Sequence, residues 1–422
     1  MKKVLIIAYY FPPLGMGGTQ RVAKFIKYLP QFGWHPLVVT VKQVAYYATD
    51  ETLLQDVEEA TIYRTGSLDP QRLAHLVSGR GSTPKTGVRK AKGALQKLLN
   101  WLFIPDTKIL WLPFAFLKSL QVIYREKPDC LLTTSPPHSV HLLGLVLELF
   151  CNLKWVADFR DGWSGGNFQY EPTVLHRWLN RFWQARVVRG ADGVVAVSSL
   201  LQEKLRAASL SNPSKFCCIT NGFDLADVAK AAHVGRNTRF TMTHCGTLAT
   251  VSQVHGFLEA LSDLLSKTPE LRNKVAVDFV GYVLDAGVAQ QVDEMGLADI
   301  VRFSGYLNHL LALEKVLAAD LLLYFVSPDV SDDFIPGKTF EYMAAAKGVL
   351  AIGPEVEGVK ILSEFCQVRV VPHHDLAAIA RAIYAFYVTE SKERPGSKTH
   401  DLGRFEREHL TAQLARQLDS LQ

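Results

Sequence analysis

Six cysteines in 422 residues (Cys130, Cys151, Cys217, Cys218, Cys245 and Cys366) include no CxxC pair and no neighbouring His at metal-ligand spacing. That indicates neither a zinc site nor a disulfide framework, and fits a reducing compartment. No apolar run reaches the roughly 18 residues of a spanning helix; the longest are cut by His141 and Glu148 or by Pro113. The opening MKKVLIIAYYFPP stops its apolar run at Pro12-Pro13 with no small-residue cleavage site after it, which argues against a secretory leader. The GxGxxG order, the GxxxxGK phosphate loop and a DxD aspartate pair are all missing, which argues against dinucleotide binding, a P-loop enzyme and a metal-carrying aspartate pair. No repeat of about 20 to 50 residues is visible. One charge sign is also locally absent: Pro70 to Pro105 contains no acidic residue.

What is present is an ordinary globular composition, 48% apolar, 21% charged and 10% aromatic, at a length that predicts two domains or one large one. Short apolar runs alternate with helical patterns: Val4 to Tyr9, Pro36 to Thr40, Cys130 to Thr134, Trp155 to Phe159 and Gly193 to Val197 in a first series. Thr19 reads as the N-cap of the first helix, and a Ser-capped helix follows from Ser199. A second series has strands from Phe240 to Cys245, Val275 to Val280, Val301 to Phe303, Leu321 to Phe325, Val349 to Ile352 and Val368 to Val371, with a helix from Lys338. Fully apolar strands between helices mean parallel sheets covered on both faces, hence two doubly wound α/β domains in tandem, with ligands at the carboxyl ends of the strands. The polar segment 224–239 reads as the linker.

The charge is divided. Residues 1–222 carry 27 Lys+Arg against 15 Asp+Glu, a net +12, and residues 223–422 carry 19 against 26, a net −7. A basic half faces something anionic. Within it, Arg72, Arg80, Lys85, Arg89, Lys90, Lys92 and Lys97 lead into LLNWLF, a pattern that fits an amphipathic surface helix on a membrane as well as a loop entering a core helix. A second acid-free run, HRWLNRFWQARVVRG from His176, puts Arg177, Arg181, Trp178, Phe182 and Trp183 at helical spacing.

Three segments carry chemistry. Gly15, Gly17 and Gly18 sit in the first strand-to-helix turn, where glycine lets backbone approach a substrate group or simply makes the turn. ADFRDGW places Asp158, Arg160 and Asp161 at the exit of a buried strand. Such charges either pair, Arg160 neutralising Asp158, or meet a ligand, the carboxylates orienting an acceptor hydroxyl and taking its proton. VSDDFIPGKTFEYMAAAKGVLA places Asp333 in a loop and Glu341 in the first turn of a helix opened by Gly337 and Lys338. Amides and a Lys suit phosphates and a Glu suits two ribose hydroxyls, the needs of a nucleoside diphosphate; an ordinary capped helix is the plain alternative.

With AYYFPPLGMGGTQRVAKFIKYLPQFGW, SPPHSVH, ADFRDGW, TNGFD, HCGTL and PGKTFEYMAAAKGVLA, the chain resembles the GT-B glycosyltransferases, particularly family 4 of the retaining enzymes, over nearly its whole length. The resemblance implies two facing Rossmann-like domains: an acceptor domain over 1–222 with an insertion at about 70–105, a donor domain over 223–400, and a C-terminal helix at 401–422 returning to the first domain. It implies a nucleoside diphosphate sugar as substrate, and no cofactor or metal. It assigns Glu341 to the donor ribose, Lys338 to the diphosphate and its departure, and Asp333 to the transferred sugar. Gly246, Thr247, Gly337, Gly17 and Gly18 join the donor site, Asp158 and Asp161 the chemistry, and Arg160 and His138 the acceptor. Two departures stand out: Asp333 replaces a Glu, and ATVSQVHG follows GTL where many members carry a basic phosphate ligand, leaving His255 nearest.

The expectation is a retaining hexosyl- or N-acetylhexosaminyltransferase acting on a glycan or lipid-linked acceptor in cell-surface polysaccharide synthesis. It would be cytoplasmic, peripheral on an anionic membrane, and would not bind nucleic acid. The alternative is a non-catalytic GT-B protein that binds a nucleotide sugar or a partner.

Overall fold

The computed structural model describes residues 1–46, 48–78, 98–164, 171–209, 211–233, 235, 237–333, 335–390 and 402–422. The chain forms two compact units, Met1–Asn221 with Arg407–Gln422, and Gly222–Glu406. Arg80, Lys85, Arg89, Lys90, Lys92 and Lys97 of the expected basic insertion lie outside the described residues.

In the first unit seven parallel strands lie in the order β3-β2-β1-β4-β5-β6-β7: β1 Lys2–Ile7, β2 Trp34–Val41, β3 Thr61–Thr65, β4 Cys130–Ser135, β5 Lys154–Phe159, β6 Gly193–Ala196 and β7 Phe216–Cys218. β1 and β4 are central because both are covered on both faces: Val4, Leu5, Ile6 and Ile7 of β1 are fully buried, and β4 is buried throughout, its apolar Cys130–Leu132 followed by the hydroxyl side chains of Thr133–Ser135. The helices are α1 Gly17–Tyr28, α2 Pro70–Ser78, α3 Leu112–Glu126, α4 Ser139–Cys151, α5 Val174–Gly190 and α6 Ser199–Ser209. α3 to α6 share one core with the sheet through Val122, Leu143, Val187 and Leu201, and α1 packs on the other face through Val22 and Phe25.

Two expectations need correction here. α1 begins at Gly17 after Met16; Thr19 is not its cap, because its hydroxyl donates back to the Gly15 carbonyl at 3.2 Å. β3 and β7 were not foreseen: TIYRT is an edge strand with partly exposed residues, and FCC is three residues long.

The second unit repeats the plan with six parallel strands in the order β10-β9-β8-β11-β12-β13: β8 Phe240–Cys245, β9 Val275–Val280, β10 Val301–Gly305, β11 Leu321–Phe325, β12 Gly348–Ile352 and β13 Val368–Val371. Its helices are α7 Leu225–Ala231, α8 His255–Lys267, α9 Gly287–Glu294, α10 His309–Ala318, α11 Lys338–Ala345, α12 Glu357–Phe365 and α13 Leu376–Glu390. The segment expected as a linker therefore contains α7. Its N-cap is Asp224, which accepts from the Ala226 amide at 3.0 Å, and its Asp227 and Ala231 are buried in the unit. Phe405 closes this unit against Phe340 and Phe365. The final helix, α14 Arg407–Asp419, then joins the core of α1, burying Leu410, Leu414 and Leu418 beside Val22, Phe25 and Ile26.

In each sheet the strand order reverses between neighbours, β1 and β4 in one unit, β8 and β11 in the other. The loops leaving those four strands are where an open α/β sheet offers a crevice. Among the described residues no helix is long and apolar enough to cross a membrane.

Candidate functional site

In the second unit the reversal point is built around one glycine. Gly246 follows β8 at φ +144°, a conformation closed to side chains. Gly281 stands so close that a Cβ there would lie 2.2 Å from the Gly246 carbonyl oxygen, so two glycines let the backbones meet. A Cβ at Gly246 would lie 3.5 Å from His244 Nε2 and 3.6 Å from Lys338 Nζ. Its absence leaves both nitrogens facing the same small space, and Thr247 continues the loop, half-buried.

α11 presents Lys338 there because the TFEYM sequence anchors it from below. The Tyr342 hydroxyl accepts from the Cys245 amide at 2.9 Å and donates to the Leu323 carbonyl at 3.2 Å, while the Tyr324 and Thr339 hydroxyls bond at 2.8 Å. Gly337 precedes the helix without a side-chain cap, which leaves the first amides unserved by a side chain. The Lys338 ammonium lies 4.9 Å from the centre of the Tyr324 ring and pairs with no carboxylate among the described residues. Burial pulls its pKa down to about 8. A desolvated cation without a counter-ion, beside helix-start amides, is an anion site.

His244 is fully buried, its Nδ1 3.0 Å from the Leu323 carbonyl. A carbonyl only accepts, so Nδ1 carries the proton and Nε2 is a bare acceptor, without a partner among the described residues. Burial, and then the Lys338 charge, hold the ring's pKa well below its ordinary value, so it stays neutral. One turn on from Lys338, the Glu341 carboxylate is 3.5 Å from His309 Nδ1, whose Nε2 is 3.4 Å from Asp227. Asp333 accepts from the Ser331 hydroxyl at 2.5 Å in the loop before α11. His255 is half-exposed and turned to its own neighbours, 3.1 Å from Gln291 and 3.4 Å from Glu259.

In the first unit Met16 holds φ +77°, ψ 159°, a backbone region rarely taken by a residue with a side chain. Gly17 and Gly18 follow, exposed at the start of α1, with open space where a Cβ of Gly17 would stand. Arg160 stitches the two switch-point loops together: its guanidinium donates to the carbonyls of Ser135 at 2.9 Å, Pro136 at 2.6 Å and Gly18.

The expected pairing of Arg160 with Asp158 is not what forms. Asp158 takes two bonds from Arg21, at 2.8 and 3.2 Å, and one from the Thr134 hydroxyl at 2.8 Å, with both charged groups fully buried. Arg21 further donates to the carbonyls of Ile219 and Thr220. With both oxygens engaged away from solvent, Asp158 is a fastening group, not an available base, and Arg160, spent on carbonyls, fastens as well. Asp161 is the half-buried carboxylate of the pair. His138 stacks on Trp163, centroids 5.1 Å apart and planes 8° from parallel, with Nδ1 unpartnered among the described residues. Burial and the Arg160 charge lower its pKa to about 3, so it too is neutral.

Residues 16–222 match the family model of the glycosyl transferase 4-like domain. The chain has the GT-B fold. Its fold is similar to that of solved GT-B structures. HepE of Anabaena, crystallised with UDP, has a TM-score of 0.63 at 17% identity with 100% of each chain covered. The sucrose-phosphate synthase of Thermosynechococcus elongatus gives 0.63 at 16%, again with full coverage of both. WaaG, a glycosyltransferase involved in lipopolysaccharide biosynthesis, gives 0.56 at 12%, covering 99% of this chain and 95% of its own. No curated protein matches the sequence.

Sequence reasoning missed three groups of this protein. Arg21 sits in α1 among Val22, Phe25 and Ile26, a charge on a buried face, and that misfit was its one signal. His244 stood inside the HCGTL motif without a role, and His309 carried no signal.

Proposed function

We propose that this protein transfers a hexose or N-acetylhexosamine, with retention of configuration, from a nucleoside diphosphate sugar to a glycan or lipid-linked acceptor in cell-surface polysaccharide synthesis. The observation that carries the donor half is the Lys338 ammonium, held over the Tyr324 ring beside the start of α11 and paired with no carboxylate among the described residues. A diphosphate supplies the missing anion. As the sugar–phosphate bond breaks, negative charge grows on the leaving oxygen, and a preorganised cation with helix amides stabilises that state more than the ground state.

Glu341 would take the ribose hydroxyls, exchanging its His309 contact for them, and Gly246, Thr247 and Gly337 would let the phosphates reach the backbone. Asp333 would contact the transferred sugar, and Gly17 and Gly18 would take part in donor binding. Asp161, half-buried, is the group that would meet an acceptor hydroxyl, and His138, buried with its bare Nδ1, would shape the acceptor site through its stack on Trp163. With Lys338 supplying positive charge, transfer would need no divalent metal. The site of action would be the cytoplasmic face of an anionic membrane.

HepE has been solved with UDP-glucose, which makes UDP-glucose the first donor to try in a panel of UDP- and GDP-sugars. Release of nucleoside diphosphate, with the sugar found on an acceptor by mass analysis and unaffected by EDTA, is the expected result. The second reading, a non-catalytic nucleotide-sugar-binding protein, draws on the sequestration of Asp158 and the Ser331-bound Asp333. It predicts calorimetric donor binding with no nucleotide released from any sugar.

A further inference from the structure

Over residues 174–184 helix α5 is inside out, and only its last turn buries apolar side chains, Val187 and Val188. Facing the unit it buries polar side chains: His176, Asn180 and Gln184 are all nearly inaccessible, and each is hydrogen-bonded. His176 reaches the Trp101 carbonyl at 2.9 Å, Asn180 the Trp163 indole and Glu171, and Gln184 the Ser164 amide. Outward it shows Val174 (73% exposed), Leu175 (59%), Trp178 (58%) and Phe182 (43%). Trp178 and Phe182 stack on each other at 5.7 Å. Beside them residues 98–102 are helical and tied to α5 through the His176–Trp101 contact, and Leu98, Trp101 and Leu102 there are about half exposed. A helix in contact with water alone would place these side chains the other way round. A contiguous patch of large apolar groups marks a surface that meets something else.

The charges say what it meets. At 3.6 residues per turn, Val174, Trp178 and Phe182 form the middle of the exposed stripe, with Arg177 and Arg181 along one side and Arg186 along the other. All three arginines are exposed, and Val174–Gly190 contains no Asp or Glu. Rings in the centre with cations on the flanks match the level of headgroups and the upper acyl chains, rings at the boundary and guanidinium groups at phosphates. A second copy of the same face would set arginine against arginine, so self-pairing is disfavoured by charge.

We infer that the outward face of α5, together with residues 98–102, is the surface by which this protein lies on an anionic lipid bilayer. This deepens the membrane part of the function proposed above by assigning it to a particular surface, and it does not depend on sugar transfer. The placement requires the aromatic stripe to enter the interface with Arg177, Arg181 and Arg186 at lipid phosphates.

The test is co-sedimentation of the full chain with vesicles of phosphatidylcholine mixed with phosphatidylglycerol, against phosphatidylcholine alone, at low and high salt. Binding to the anionic vesicles only, weakened by salt, is expected. Arg177→Gln with Arg181→Gln should lower affinity at low salt by roughly thirtyfold, and Trp178→Gln with Phe182→Gln should abolish binding at any salt. Because all four residues are exposed, the variants should keep the parental melting temperature and parental nucleotide release with a soluble acceptor. Parent-like vesicle binding by both variants, equal binding to the two vesicle types, or no binding by the parent at low salt overturns the assignment. A dimer in solution that Trp178→Gln with Phe182→Gln makes monomeric would show the face to be a self-interface instead, and would also overturn it. Intact vesicle binding with no nucleotide release from any donor would strike the transferase reading and leave this one standing.

Discussion

Lys338 is the residue on which most depends. Its ammonium pKa, pulled from an ordinary 10.5 to about 8 by burial, means that the free protein loses the charge as pH rises through about 8. The kcat/KM for donor should therefore fall above pH 8, while the corresponding limb of kcat lies higher, because a bound diphosphate favours the charged form. Stability moves in the opposite direction: a depressed folded pKa means that the unfolded chain binds more protons between about 8 and 10.5, so the ligand-free protein gains stability as pH rises across that window. A flat kcat/KM profile to pH 10 would remove Lys338 from the phosphates. Lys338→Ala should lower kcat by about a hundredfold or more with a smaller change in donor affinity; a rise in KM alone would mean uniform binding. Glu341→Ala should cost roughly 1.5 to 3 kcal/mol of donor affinity by calorimetry, and unchanged affinity would take it off the ribose. His244→Phe keeps the buried ring and removes the bare Nε2 beside Gly246. If that nitrogen steadies the ammonium, the basic limb moves to lower pH, and an unmoved limb makes His244 a core ring only.

At the scale of elements, the first unit's switch point is held by ions that the chemistry does not use. Arg21 on α1 clamps Asp158 at the end of β5, and through the Ile219 and Thr220 carbonyls it reaches the end of the unit's chain. Arg21→Met leaves a buried carboxylate uncompensated and should cost about 3 to 5 kcal/mol. Adding Asp158→Asn should recover part of that, seen as a partial return of the melting temperature; no recovery would mean that the pair is not the coupled unit described. The same elements show what a sequence discloses. β1 and β11 were legible because Val4 to Ile7 and Leu321 to Phe325 are unbroken apolar runs, fully or nearly fully buried, and β4, β5 and β8 because apolar residues still dominate or alternate through short runs between helical patterns. β3 and β7 were not, being a partly exposed edge and a three-residue strand. The start of α11 was legible because glycine, lysine and glutamate stand there in a short span of chain. The role of Asp158 was not, because which of Arg21 and Arg160 it meets is decided by α1 lying against the sheet, a contact 137 positions apart in sequence. α7 was hidden by the polar residues that cap it: Asp224 reads as loop and acts as an N-cap.

For the whole molecule, the order of the chain and the order of its units differ. The chain leaves the first unit at Asn221, builds the second to Glu406, and returns with Arg407–Gln422. That return is a matter of packing more than charge. The Lys2–Asp419 contact at 2.8 Å is half exposed on both sides and contributes little. Leu410, Leu414 and Leu418, in contrast, are fully buried against Val22, Phe25 and Ile26 of α1. Burying each leucine is worth about 1.5 to 3 kcal/mol, so three of them approach the whole margin of about 5 to 15 kcal/mol by which a domain is stable. Ending the chain at Glu406 should therefore unfold or aggregate the first unit, whose α1 also carries Arg21, Gly17 and Gly18, while the second unit keeps its own complete core and its site around Lys338. Limited proteolysis of the truncated chain should then leave a protected fragment near residues 222–406 and degrade the rest. Leu414→Ala in the full chain should lower stability by about 2 to 5 kcal/mol without changing nucleotide affinity measured by calorimetry. Equal protease resistance of both units after truncation would mean that α14 merely rests on a core complete without it.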